Sequence, residues 1–251
     1  MTVAMGVEMA APESDLVSVL YEPLVAAARH RYVSAAGHSA MTDPSAPADQ
    51  LDRFLIEFCA QGVHMTRPVD DWITRAGVRC AELGLTDLGA ALQRHAAHEA
   101  GHHEMMIADT RSLVAAWNEL GRDPLDADVL LARDPSPGVQ QYIDLHEQTI
   151  ASADPWGQLA IEFEIELLSI TSGPKLIGNV AAVCGADRVA RLSFLTDHIA
   201  VDEGHTVFNR RQLNQLLKEH PALAVPLAAA GSAALDAHAR FIDDCAEVAV
   251  T

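Results

Sequence analysis

Two eight-residue segments repeat one pattern of metal-binding side chains, and this repetition constrains the fold more than any other feature. Residues 95–102 read HAAHEAGH and residues 198–205 read HIAVDEGH, so each carries a His, a carboxylate four positions later and a second His after three more. On an α-helix this spacing places three side chains on one face over two turns. Imidazole and carboxylate groups bind divalent metals such as iron, manganese or zinc. Two such helices facing each other would supply enough ligands for two metal ions. The predicted ligands are His95, Glu99, His102, His198, Asp202 and His205.

The rest of the chain predicts an all-α protein. Apolar residues recur at helical spacing nearly throughout the 251 residues, and no segment shows the alternation of a strand. We predict a disordered arm at residues 1–12 and a single domain of seven or eight helices at residues 13–251. The predicted helices cover residues 13–37, 49–64, 68–84, 86–120, 139–152, 155–183 with a bend near Gly173, 186–220 and 222–248, with a short helix at 127–132.

Composition excludes several classes of function. The net charge is −18 with only 17 Lys and Arg residues, which argues against a nucleic-acid partner because phosphate binding needs clustered basic side chains. No uncharged apolar run is long enough to span a membrane, and the Ala-rich stretch at residues 221–234 is interrupted by Pro226 and Gly231. The four cysteines form no Cys-x2-Cys pair, and no signal peptide is evident. We therefore predict a cytoplasmic protein with reduced, structural cysteines.

Glutamates within an apolar helix are candidate bridging ligands. Glu162, Glu164 and Glu166 lie among large apolar residues, and a buried carboxylate without a partner is costly. Glu162 and Glu166 share a helical face, whereas Glu164 points roughly opposite. A metal would offset the repulsion, while a partly exposed helix with surface glutamates is the alternative. Glu57 and His64 are weaker candidates for metal ligands. We expect each of them to be a core residue or to form a salt bridge.

These residues together resemble the haem-oxygenase-like di-iron oxidases. The resemblance covers roughly residues 54–212 and depends most on the motif that contains His198, Asp202 and His205, with Phe194 one turn upstream. It implies a haem-oxygenase-like helical bundle. It also implies that Glu99 and His102 lie on the first metal-binding helix, and that one of Glu162, Glu164 or Glu166 is the middle ligand, Glu166 being favoured and Glu162 next. Some relatives have a glutamate where His95 stands, so His95 is a replacement ligand or supports one.

The resemblance implies a chemistry as well. Members of this family hold two ferrous ions, one of them often labile, and use O2 as co-substrate. The implied function is an O2-activating oxidase or oxygenase that acts on a small amine-bearing acid, by N-oxygenation or by oxidative C–C or C–N cleavage, in specialised metabolism. The implied partners are a small-molecule substrate, which could be an amino acid, an external electron donor and a second copy in a homodimer.

Two other functions stay open. A ferritin-like ferroxidase would also use carboxylate-x2-His pairs on helices. A metal-free relative, such as a thiaminase-like hydrolase or a cofactorless oxidase, would use the histidines as acids and bases.

Basic residues near both motifs could hold a substrate carboxylate, with pairing to surface acids as the alternative. A fatty acid would use the same contact but would need a long apolar channel. The arginines in question are Arg94, Arg188, Arg191, Arg210 and Arg211.

Overall fold

The computed structural model describes residues 15–250, and all regular secondary structure in that range is helical. The α-helices are α1 (Glu22–Val33), α2 (Ala36–Thr42), α3 (Ala48–Thr66), α4 (Val69–Glu82), α5 (Thr86–Glu99), α6 (His103–Glu119), α7 (Ala127–Leu131), α8 (Pro137–Ala151), α9 (Gly157–Thr171), α10 (Gly173–Val183), α11 (Ala186–Val189), α12 (Ser193–Glu219) and α13 (Ala224–Ala249). A π-helical turn (Val17–Tyr21) precedes α1, and a 3-10 turn (Pro221–Leu223) precedes α13. The predicted all-α class is confirmed. The arm predicted at residues 1–12 lies outside the described residues.

The described chain is divided into more helices than the seven or eight that the sequence predicts. The segment at residues 86–120 is two helices, α5 and α6, and not one. Ala100 is extended with ψ 125°, and Gly101 takes φ +87°, a left-handed conformation that favours glycine. The long segment predicted at residues 155–183 is divided at Ser172, where a bend was expected. The extra divisions therefore fall at residues with non-helical backbone or at Gly-Pro.

Helix α13 is the central helix of the described bundle. It packs against α1, α2, α3, α8 and α9. Its buried side chains include Leu227, Leu235, Phe241 and Ile242. By length and composition alone, residues 221–249 could cross a membrane. Packing against five other helices also explains this composition, because a helix with several neighbours needs apolar residues on several faces.

Two glycines allow other helices to approach the backbone of α13 closely. A Cβ atom at Gly37 of α2 would touch the backbone of Ile242, and one at Gly138 of α8 would touch the backbone of Arg240 and Phe241. The amide of Gly138 also donates a hydrogen bond to Asp244 Oδ2 over 2.7 Å. Backbone atoms cannot move aside as a flexible side chain can, so these contacts require glycine.

We predict that Gly138→Ala destabilises the protein by about 1–3 kcal/mol or more, because overpacking forces α8 away from α13. The measurement is the free energy of unfolding from urea titration. Gly178→Ala is the matched control, since Gly178 lies within α10 with no atom within 4 Å of the added Cβ. The control should stabilise the protein by roughly 0.5–1 kcal/mol through helix propensity. Equal effects of the two changes would contradict the close packing described here.

Candidate metal centre

Three helices bring the predicted ligands together. Helix α12 packs against both α9 and α5, so the carboxylates of α9 face the histidines of the two motifs. Helix α5 ends at Glu99, and His102 immediately precedes α6. The spacing of the first motif predicts one continuous helix. In the structure the motif is instead divided at the end of α5. His95 and Glu99 lie on α5, and the turn at Ala100 and Gly101 carries His102.

The first group of candidate ligands contains two imidazoles and two carboxylates. Its members are His95, Glu99, Glu166 and His205. His95 Nε2 lies 2.8 Å from Glu166 Oε1 and 3.5 Å from Glu99 Oε1. His205 Nδ1 lies 3.2 Å from Glu99 Oε1 and 3.7 Å from Glu166 Oε1. Donor atoms about 2.1 Å from one metal ion lie roughly 3 Å from one another, so these separations fit a single ion.

Several of these buried atoms have no aligned hydrogen-bond partner although they lie close together. They are His95 Nε2, Glu99 Oε1, Glu166 Oε1, Asp202 Oδ1 and His205 Nδ1. Buried polar atoms are nearly always hydrogen-bonded in folded proteins, and exceptions need an explanation. When the imidazoles are neutral, the four atoms of His95, Glu99, Glu166 and His205 each present a lone pair to the same small volume, where one metal ion could contact them all. The residues present therefore fit a metal.

The second group of candidate ligands shares one residue with the first. It contains Glu99, His102 and His198. Glu99 Oε2 lies 2.9 Å from His102 Nδ1, while Glu99 Oε1 faces the first group. The His102 and His198 rings lie 4.7 Å apart between centroids. Glu99 therefore has the position of a carboxylate that bridges two ions.

Neighbouring groups orient the candidate ligands, which metal sites generally require. His198 Nδ1 donates to the Phe194 carbonyl oxygen over 2.9 Å, which leaves Nε2 for a ligand. Asn209 Nδ2 donates to Glu166 Oε2 over 2.6 Å. The Ser169 hydroxyl donates to Asp202 Oδ2, and Asp202 Oδ1 lies 3.3 Å from His205 Nδ1. Asp202 thus contributes one free oxygen at the edge of the first group.

The carboxylates and imidazoles shift each other's pKa strongly. Burial lowers the pKa of His95, but Glu166 and Glu99 outweigh burial and raise it to about 11. Asp202 and Glu99 raise the pKa of His205 to about 10. Burial opposes ionisation of Glu99, yet His102, His205 and His95 hold the Glu99 pKa well below its usual range. Without a metal, protons on the histidines therefore balance the carboxylate charge, and a metal would have to displace them.

The other glutamates that the sequence left open lie elsewhere. Glu164 forms a bidentate ion pair with Arg29, with distances of 2.8 and 2.9 Å. Glu57 pairs with Arg53 and Arg133, so the expected salt bridge is confirmed.

Two further candidates also lie outside both groups. His64 Nε2 lies 3.0 Å from the Arg133 carbonyl oxygen. Glu162 lies next to the centre but is in neither group, and its Oε1 accepts a hydrogen bond from Gln158 Nε2. Of the two glutamates that share a face, the geometry favours Glu166 as a ligand.

An apolar cavity of about 150 Å³ opens onto the centre. Glu99, Glu162, Glu166, His198 and Asp202 form its polar side. Its apolar lining includes Tyr32, Phe58, Met65, Met106, Tyr142, Ile165, Leu176, Leu195 and Phe241. A small molecule bound in this cavity would lie against the metal-binding groups at one end and against aromatic and aliphatic side chains over most of its surface.

The arginines considered for a substrate carboxylate do not line this cavity. Arg210 pairs with Asp15 and Glu22. Arg188 pairs with Asp52, and Arg191 donates to Ser112. Arg94 and Arg211 are exposed. Pairing with surface acids, the alternative explanation for these residues, therefore fits Arg210, whereas Arg188 pairs with a buried acid and Arg191 with a serine.

Sequence analysis missed the residues that support the ligands. Asn209 follows His205 by one helical turn, so its spacing on α12 could have predicted a position on the same face. Ser169 and Gln158 gave no such signal, because their role depends on the rotation of α9 against α12 and α8.

We predict that Glu166→Gln removes at least one bound metal ion per chain and that Glu164→Gln leaves metal binding unchanged. The Glu164 change should instead lower the free energy of unfolding by about 1–3 kcal/mol, because it leaves Arg29 with the more distant Glu22 as its charged partner. Metal content after anaerobic loading and urea unfolding measure the two effects. Loss of metal from the Glu164 variant would show that the metal ligand of α9 lies on the opposite face of the helix.

Comparison with known proteins supports the fold. No family model matches the chain, and no curated protein matches it. Among solved structures, a domain of unknown function with a heme oxygenase-like fold from Shewanella denitrificans matches with a TM-score of 0.74. The match covers 93% of this chain and 92% of that chain at 18% sequence identity, a likeness that concerns the fold alone. The chain therefore has a haem oxygenase-like fold, as its resemblance implies.

Proposed function

We propose that this protein is a non-haem di-iron oxidase or oxygenase that activates O2 and acts on a small amine-bearing molecule. The observation that carries the proposal is the convergence of two buried carboxylates and two imidazoles in the first ligand group, with Glu99 shared between two groups. A shared carboxylate is what two neighbouring ions require. Mixed imidazole and carboxylate ligands are compatible with ferrous iron and also with manganese.

The protein residues would perform distinct tasks. His95, Glu99, Glu166 and His205 would hold one ion, and Glu99, His102 and His198 would hold the other, with Asp202 beside both motif histidines of α12. Bound ferrous iron would supply electrons for the reduction of O2. The second group has fewer protein ligands and includes the half-buried His102 and His198, so an ion there would keep open positions and would be the more labile of the two.

The cavity supports a reaction on a small molecule rather than storage of iron. A ferroxidase needs a polar path for iron and water, whereas this centre faces a mainly apolar cavity. The observed haem oxygenase-like fold also differs from the four-helix arrangement expected of a ferritin-like protein. A metal-free relative would hold the same groups together by protonated histidines paired with carboxylates, and metal binding by the purified protein separates the two cases. An external electron donor and a homodimeric assembly remain proposals, and so does the cytoplasmic location that the cysteines and the N-terminal sequence predict.

We predict that the protein binds up to two ferrous ions per chain, one for each ligand group. His205→Ala and Asp202→Ala should each abolish binding at one site or more. His98→Ala is the matched control, because His98 belongs to the first motif but is exposed and lies in neither group. Anaerobic titration with ferrous iron, followed by metal analysis of the desalted protein, measures the stoichiometry. Trace binding by the wild type would refute the proposal, and unchanged binding in both α12 variants would remove that helix from the site.

We predict that amine-bearing compounds stimulate O2 consumption by the iron-loaded protein, because the cavity admits a small molecule next to both ligand groups. An oxygen electrode with a panel of amino acids, alkylamines and medium-chain fatty acids measures the effect, and the Glu166→Gln variant should consume O2 only at the background rate. Stimulation by fatty acids alone would contradict the proposed substrate. Rapid oxidation of excess iron without any substrate would favour the ferroxidase alternative.

A further inference from the structure

Glu162 differs from the other buried carboxylates that lie outside the two ligand groups. Its side chain is on α9, one turn before Glu166, and only 4% of the residue is exposed. Its hydrogen bond within the described chain comes from the neutral amide of Gln158, whose Nε2 lies 2.5 Å from Glu162 Oε1. Burying a carboxylate without a cationic partner or several hydrogen bonds is costly. The position therefore calls for a partner.

The other carboxylates of this kind have strong partners. Asp52 is paired with Arg122 and Arg188. Asp109 accepts hydrogen bonds from the Ser193 hydroxyl and the Phe194 amide. Asp202 accepts a hydrogen bond from the Ser169 hydroxyl and lies 3.3 Å from His205 Nδ1. The remaining three are satisfied in the same way. Glu57 is paired with Arg53 and Arg133, Glu164 with Arg29, and Asp244 with Arg240 and the Gly138 amide.

Glu162 faces the cavity, and among residues 15–250 no Lys or Arg lines the wall. The charge of His95 lowers the Glu162 pKa, but His95 Nε2 is already within 2.8 Å of Glu166 Oε1. Burial dominates and raises the pKa of Glu162 to about 8, so this group is mostly protonated at neutral pH in the empty cavity and becomes charged when a cation binds beside it. The described wall otherwise consists of apolar side chains, the metal-binding groups, the hydroxyls of Thr66, Ser169 and Ser172, and the imidazole of His238. A cationic ligand group would thus meet, at Glu162, a carboxyl group that is not paired with a Lys or Arg of the described wall.

An aromatic ring lies beside this carboxylate. Tyr142 also lines the cavity, and burial together with the charge of Glu162 raises the Tyr142 pKa well above its ordinary value. His146 Nδ1 lies 2.8 Å from Gln158 Nε2 and 3.1 Å from Gln158 Oε1, which fixes the amide that contacts Glu162. A carboxyl group and an aromatic ring in the wall of one cavity are the two kinds of side chain that bind ammonium groups.

We propose that Glu162 binds the amino group of a substrate whose remaining part is apolar, an aliphatic or arylalkyl primary amine without a carboxylate. The inference deepens the proposed function by naming the chemical class of its substrate and the residue that selects it. Gln158 is the positioning residue that holds Glu162 towards the cavity. The ammonium group supplies the counter-charge that the protein itself does not provide, and the aromatic and aliphatic wall covers the rest of the molecule.

The test compares three ligands that differ only in their polar group: pentylamine, pentanol and pentanoate. Isothermal titration calorimetry measures their binding to the metal-free full-length protein and then to the anaerobic manganese-loaded protein. We expect pentylamine to bind at least about tenfold more tightly than the other two, because it gains a charge-assisted contact that they lack. In Glu162→Gln the preference for the amine should fall to within about twofold. Glu164→Gln, a change on the same helix but outside the cavity, should keep the preference.

Two results would overturn the inference. One is tighter binding of pentanoate or pentanol than of pentylamine by the wild type, an outcome that needs no variant to fold. The other is an undiminished amine preference in a folded Glu162→Gln protein. The metal-free measurement does not depend on iron, so the two proposals can fail separately. Amine selectivity without iron binding would refute the proposed di-iron function and keep this inference. Iron binding without amine selectivity would refute this inference and keep the di-iron centre.

Discussion

The cost of burying several carboxylates in one place is the constraint on which the centre depends. Glu99, Glu166 and Asp202 are each 8% exposed or less, and charges of one sign repel strongly in a poorly solvated interior. Neutralisation by cations overcomes this repulsion. Histidines from α5 and α12 can supply protons, or the same nitrogens can bind metal ions. Helices α5, α9 and α12 carry these charges and bring them together.

Helix α9 shows how one segment serves both the fold and the site. Glu164 does not line the cavity. It is paired with Arg29 of α1, and this ion pair links α9 to α1. Glu162 and Glu166 point inward, where Gln158 and Asn209 orient them. The separation follows from helical geometry, since residues four apart share a face and residues two apart do not. A fixed α9 therefore means that both inward carboxylates have fixed positions.

Much of the fold and part of the centre could be predicted from sequence, because helical spacing is a local property. The motif on α12 gave the helix and three neighbouring side chains, and the all-α class followed from periodicity. The break after Glu99 could not be predicted, since one Ala-Gly pair does not reveal a left-handed turn. The partners of Glu164 and Arg210 could not be predicted either. They depend on which helices meet, and residues distant in sequence, such as Arg29 and Asp15, decide them.

The break between α5 and α6 has an electrostatic consequence for the centre. Glu99 is the last residue of α5, and the C-terminal end of a helix carries partial negative charge that disfavours a carboxylate. A continuous helix through residue 102 would have given Glu99 a more neutral environment in mid-helix. Ending the helix at Glu99 increases the demand for positive charge at the residue shared by both ligand groups. His95, His102 and His205 surround that residue. The fold thus concentrates negative potential where two cations would share a ligand.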